Sequence, residues 1–190
     1  VLYHLLLPLR DEYAIFNVVR YITFRTAAAV VTALLLSVLC GPWFVRTLRR
    51  LSVGQNIRDV GPESHQVKAG TPTMGGLLIL FAWLVPTLLW SNLENAYVWM
   101  ATAVAAAFAA IGFLDDFLKV RARRNLGLTA RAKLLLQIGV AAAVGALLPT
   151  LPGAQAFSPT LAFPFFKQLV LDLGLLYVPF VVFVLVGSSN

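Results

Sequence analysis

Apolar residues fall into five long stretches separated by short polar ones, and this alternation gives the first picture of the chain. Thr26 to Val45 carries no charge and matches the roughly 20 residues that a helix needs to cross a bilayer. Runs of similar character cover about 75–93, 97–117, 134–151 and 170–187, the last with its apolar core from about Leu173 to Val186. Stretches this long predict helices in lipid, where every backbone polar group must be satisfied within the protein. The expected fold is all-α: a polytopic membrane protein with five transmembrane helices, forming a single transmembrane domain over residues 1–190.

Details within the runs refine this. Gly41-Pro42 is expected to kink or end the first span, whereas Pro86 is tolerable inside the second if neighbours satisfy the freed carbonyl. The third span is alanine-rich from Ala101 to Ala110, and small residues allow close helix approach, so it is expected to be buried in the bundle. Residues 1–25 mix apolar and charged side chains and read as an interfacial segment, with Tyr3, Tyr13, Phe16 and Tyr21 suited to the headgroup level. His4 reads as an ordinary surface histidine. Prolines and aromatics across 152–169 predict a short hairpin or re-entrant piece at the outer surface before the fifth span.

Composition agrees: the chain is 59% hydrophobic and 12% charged, against about 45–50% and about 25% in soluble domains. A formal charge of +7 could point to nucleic acid, but eleven of the 15 Lys and Arg residues lie in residues 46–70 and 119–133. The positive-inside rule then places loops 46–74 and 118–133 in the cytoplasm and the N-terminus outside, and explains the charge with no nucleic acid. A cleavable signal peptide is not expected, because the first apolar run begins only after Asp11 and Glu12. The lone Cys40 excludes an internal disulfide. A start at Val1 and an end just past an apolar run lead to the expectation of a fragment.

Candidate chemistry centres on Asp115 and Asp116, which close a run uncharged from Ala96 to Leu114. Carboxylates at a bilayer edge are costly unless paired or metal-bound. They are expected in the last turn of the third span, where the helix dipole disfavours negative charge. Salt bridges from Asp115 to Lys119 and from Asp116 to a nearby arginine are the plainer explanation. Such pairs are worth only a few tenths of a kcal/mol and do not explain why acids stand there.

The first cytoplasmic loop runs from Gln55 through Gly61-Pro62-Glu63-Ser64-His65 and Lys68, then enters the second span through Gly70-Thr71-Pro72-Thr73-Met74-Gly75-Gly76. A polar loop leading into a helix N-terminus favours anions. Thr71 or Thr73 can cap that helix, and Lys68 supplies a nearby positive charge. His65 is a weak ligand candidate without metal-ligand spacing. Lys133 stands at the start of the fourth span on the carboxylate side, where a snorkelling topology lysine is the plainer explanation. Adjacent carboxylates suit Mg²⁺, which binds one or two carboxylates plus substrate phosphates. The inference is phosphate chemistry at a membrane surface.

These residues, with Gly112-Phe113-Leu114-Asp115-Asp116 and the closing Val186-Gly187-Ser188-Ser189-Asn190, resemble the phospho-N-acetylmuramoyl-pentapeptide-transferase family over essentially the whole chain. The resemblance implies transfer of phospho-MurNAc-pentapeptide from UDP-MurNAc-pentapeptide to undecaprenyl phosphate, giving lipid I and UMP, with Mg²⁺, in the bacterial inner membrane. It implies catalytic and metal-binding roles for Asp115 and Asp116, substrate contacts for Lys68, Thr73, Lys133, Asn190 and His65, and a homodimer. It also implies about twice as many spans, with a third aspartate beyond Asn190, so the chain alone is expected to be inactive. Another polyprenyl-phosphate sugar-1-phosphate transferase and a non-catalytic membrane scaffold or subunit stay open. A transporter fits least, since such sites lie near the midplane.

Overall fold

The computed structural model describes residues 1–50, 74–122, 127–152, 157–163 and 165–189. Five helices dominate after a short N-terminal α1 (Leu2–Leu6) and two 3-10 turns: α2 (Ile22–Arg50), α3 (Gly76–Trp90), α4 (Ala96–Ala122), α5 (Ala130–Leu147) and α6 (Tyr177–Ser189). Each packs mainly on its sequence neighbour. Side chains fix the directions. Trp90, late in α3, donates from Nε1 to Thr32 Oγ1 early in α2 at 3.1 Å, while Gly41 late in α2 lies over Leu78 early in α3. The same logic runs α5 and α6 antiparallel, because Gln137 reaches Ser189 at 3.4 Å and Gly145 meets Val178.

The segments Ile22–Leu48, Ala96–Arg121 and Ala130–Thr150 are long and apolar enough to cross a membrane. The chain is a largely helical protein suited to multiple membrane crossings. Two of the expected spans are shorter as helices. The 15 residues of α3 rise only about 22 Å and the 13 of α6 about 20 Å, against a hydrocarbon core of about 30 Å.

Several expectations are corrected. Pro42 does not end the first helix, which continues without a break to Arg50; the cost of a proline falls on one turn, and the flanking turns keep their bonds. The alanine-rich helix is only partly buried. Thr102 and Ile111 are enclosed, but Ala101, Ala103, Ala106 and Ala110 are exposed, since the described neighbours α3 and α5 cover one side of α4. His4 is not a free surface group: its Nε2 accepts from the Leu93 backbone N–H at 3.0 Å and anchors the turn between α3 and α4. Gly75 holds the N-cap position of α3 with no side-chain cap. Thr71 and Thr73 lie outside the described residues, and Met74 turns the chain in with φ of 68°.

Residues 160–163 and 166–172 are extended, and the last helix begins only at Tyr177. Strands β1 (Thr160–Phe163) and β2 (Phe166–Asp172) pair antiparallel, Thr160 opposite Asp172 and Leu161 opposite Leu171, with an irregularity between Ala162 and Phe163. Asp172 Oδ1 accepts from Gly174 N–H at 3.0 Å, and Gly174 takes the positive φ (44°) that turns the strand into α6. Pro179 then falls in the first turn of α6, where its missing N–H costs nothing.

The close approach of α5 and α6 gives a test. A Cβ on Gly145 would lie 3.4–3.5 Å from Val178, so alanine just fits and leucine does not. Gly145→Leu is expected to cost about 1–3 kcal/mol, read as a lowered thermal midpoint in detergent, while Gly145→Ala stays near wild type.

Candidate active site

Antiparallel packing brings the end of α2, the starts of α3 and α5, and the ends of α4 and α6 to one end of the bundle. The 20 residues from Ala96 to Asp115 rise about 30 Å, the thickness of a hydrocarbon core. The helix does not stop there. It runs on to Ala122, placing Asp115 and Asp116 about two turns before its end and correcting the last-turn expectation. Its final turn carries Lys119 and Arg121, cations that suit the negative end of the dipole.

Lys119 joins the carboxylates. Its Nζ donates to Asp115 Oδ2 at 2.7 Å and to Asp116 Oδ1 at 3.2 Å, four and three residues away on one helix face. Among the described residues, Asp116 therefore pairs with this lysine and not with an arginine. The two acids are not equivalent. Asp115 is 17% exposed and its Oδ1 accepts a second bond, from the Leu128 backbone N–H at 2.8 Å. Asp116 is 33% exposed and, among the described residues, holds only the longer bond to Lys119, leaving lone pairs free toward solvent.

The loop before α5 explains how Leu128 reaches Asp115. A Cβ on Gly127 would fall 2.6 Å from the Asp115 carbonyl oxygen and 2.9 Å from Lys119 Cε, and closer still to Asp115 Oδ1. Only hydrogen fits at that position. Thr129 then caps α5, its Oγ1 accepting from Ala132 N–H at 3.2 Å. Lys133, in the first turn of α5, lies near enough for its charge to act on Asp115.

Of the expected site residues, the structure thus brings together Asp115, Asp116 and Lys133. Lys68, Thr73, His65 and Asn190 lie outside the described residues. Gly127 and the Leu128 N–H were not anticipated. Their one sequence signal is a glycine two positions before a threonine cap. Lys119 was visible only as a routine partner.

The donor set fits a cation bound jointly with a ligand. Two adjacent carboxylates with free lone pairs on Asp116 can supply part of an octahedral oxygen shell, the remainder coming from water and phosphate oxygens. Among the described residues no group of three or more His, Cys, Asp or Glu gathers as a self-sufficient metal cage.

Comparison with known proteins places these residues in context. The model of Glycosyl transferase family 4 matches residues 98–190, and phospho-N-acetylmuramoyl-pentapeptide-transferase signature 1 matches residues 68–80. Over all 190 residues the chain is 52% identical to the phospho-N-acetylmuramoyl-pentapeptide-transferase of Desulfosudis oleivorans and 55% to that of Nitratidesulfovibrio vulgaris. The same enzyme of a Geobacter species is 49% identical. Over its whole length the chain is similar to phospho-N-acetylmuramoyl-pentapeptide-transferases. It spans about half the length of these curated relatives, 52% of each. Asp115, Asp116, Lys119, Gly127 and Lys133 all fall within the Glycosyl transferase family 4 match, and Lys68 and Thr73 within the signature.

Gly127→Ala is expected to push the Asp115 carboxylate off Leu128 and loosen its hold on Lys119 while the helices stay folded. Acylation of Lys119 by an amine-reactive ester, followed by peptide mass spectrometry, should then run several-fold faster than in wild type. An unchanged rate in the folded variant counts against the close approach at Gly127.

Proposed function

We propose that this chain supplies half of an active site that transfers phospho-MurNAc-pentapeptide from UDP-MurNAc-pentapeptide to undecaprenyl phosphate, giving lipid I and UMP. The observation that carries the reading is the unequal carboxylate pair at the basic end of the bundle, in a chain about half identical to enzymes of that name. In the reaction a lipid phosphate oxygen attacks the sugar-side phosphorus of the diphosphate. The bond from that phosphorus to the bridging oxygen breaks, and UMP leaves with the oxygen.

Asp115, anchored by Lys119 and the Leu128 N–H, is the positioning carboxylate. Asp116, with its free lone pairs, takes a proton from the lipid phosphate or holds the cation. Mg²⁺ held by the pair would offset charge on the diphosphate. Lys133, and with it Lys68, Thr73, His65 and Asn190, would bind nucleotide and phosphates. Lys119 adds positive charge beside the reacting phosphates.

The same proposal includes five crossings with the N-terminus outside, the β1–β2 hairpin at the outer surface, the carboxylate end on the cytoplasmic face of a bacterial inner membrane, and a homodimer. It rests on the basic residues gathered at the carboxylate end. On a Cys40→Ser background, Arg121→Cys should react with a membrane-impermeant maleimide only after cells are opened, and Ser91→Cys in intact spheroplasts. The reverse pattern would invert the topology.

Activity is tested in a chimera of this chain with the remaining half of the Desulfosudis oleivorans relative, followed as lipid I formation in detergent. Asp116→Asn is expected to lower kcat by about 10²–10⁴-fold with little change in thermal stability. Asp115→Asn should lower kcat and the unfolding midpoint together, because it also loosens α4 from the start of α5. A folded chimera without activity, or full activity in Asp116→Asn, overturns the proposal.

A further inference from the structure

At the end of the bundle away from the carboxylates, a cavity of about 410 Å³ opens between α2, α3 and the start of α4. Its rim carries Arg25, Ser91, Asn92 and Asn95, and its wall is formed by Val30, Ala82, Trp83, Pro86 and Trp90. A polar rim above an apolar wall is the shape of an amphiphile. The sign of the rim is set by its chemistry, because no acidic side chain lines the cavity.

Every rim group has donors to spare. The Arg25 guanidinium carbon lies over the Tyr3 ring, 4.4 Å from its centroid, and the guanidinium N–H groups make no bond among the described residues. Its Nε is buried and has no hydrogen-bond partner among the described residues. Asn92 and Asn95 turn their amide oxygens to backbone N–H groups, of Glu94 at 3.1 Å and Tyr97 at 2.9 Å. Their amide NH₂ groups make no described bond. Glu94, the nearby acid, is 83% exposed and turned toward His4, 3.9 Å away, outside the cavity.

We infer that this cavity binds the phosphodiester headgroup of an anionic glycerophospholipid, with Arg25 and the two asparagine amides on the phosphate and an acyl chain along Trp83, Pro86 and Trp90. Arg25 immediately precedes the first apolar run and Asn92 and Asn95 lie in the turn between α3 and α4, so the rim stands at headgroup level where a lipid phosphate resides. The site lies at the opposite end from the transferase carboxylates and stands or falls independently of the proposed reaction.

On a Trp43→Phe, Trp99→Phe background, which removes the two exposed tryptophans outside the cavity, Trp83 and Trp90 supply the readout. The chain is reconstituted in phosphatidylcholine vesicles containing a small fraction of either brominated-acyl phosphatidylglycerol or brominated-acyl phosphatidylcholine, and tryptophan quenching is titrated. One arginine at the surface favours the anionic lipid about fivefold. That preference is expected in wild type and in Arg20→Gln, an exposed arginine outside the cavity. It should vanish in Arg25→Gln and persist in part in Arg25→Lys, which keeps the charge without the forked donors. Equal quenching by both lipids, or a preference that survives Arg25→Gln, overturns the inference. Reversal of quenching by soluble glycerol phosphate reassigns the site to a free organophosphate and overturns the lipid assignment.

Discussion

A charged group cannot be left alone in hydrocarbon, and this constraint orders nearly everything in the molecule. It drives the backbone into helices that satisfy their own polar groups and sends the ionisable side chains to the two ends of the bundle. Asp115 and Asp116 obey it through Lys119, whose ammonium holds both carboxylates at the point where α4 leaves the apolar layer. The Leu128 N–H completes the arrangement and draws the start of α5 against the end of α4. One lysine and one backbone amide thus connect the carboxylates to the helix packing.

Much of this was legible in the chain. The long apolar runs marked where helices form, and the i,i+4 spacing of Asp115 and Lys119 announced their bond, because both follow from a single helical period. Helix ends were less visible. Hydropathy reports where lipid contact stops, at Leu114, whereas the helix stops at its first disruption, and Phe117-Leu118-Lys119 contains none. Val170-Leu171 misled for a related reason: a short apolar run fits strand or helix equally, and only pairing with β1 decides it. Gly127 was beyond reach, since its role depends on a neighbouring helix that no local pattern names.

The two ends of the bundle treat charge in opposite ways. At one end acids and bases neutralise each other on a single helix face, and Asp116 is left with spare lone pairs. At the other, Arg25 stacks on Tyr3 and faces a cavity lined by donors. An arrangement of satisfied acids beside exposed lone pairs suits a site that must admit a cation and a phosphate. Unsatisfied donors beside apolar walls suit a site that retains a resident amphiphile.

The short helix α3 has a mechanical consequence. Its 15 residues fall about 8 Å short of a typical hydrocarbon core, while α2 and α4 on either side, with 29 and 27, exceed it. Such a mismatch is relieved by thinning the bilayer beside the short element. With the five crossings proposed above, the lipid surface near the Met74 entry to α3 would dip toward the midplane. The lipid phosphate of the proposed reaction would then approach Asp116 from within that depression, moving sideways in the lipid plane, and would not have to climb out of the bilayer first.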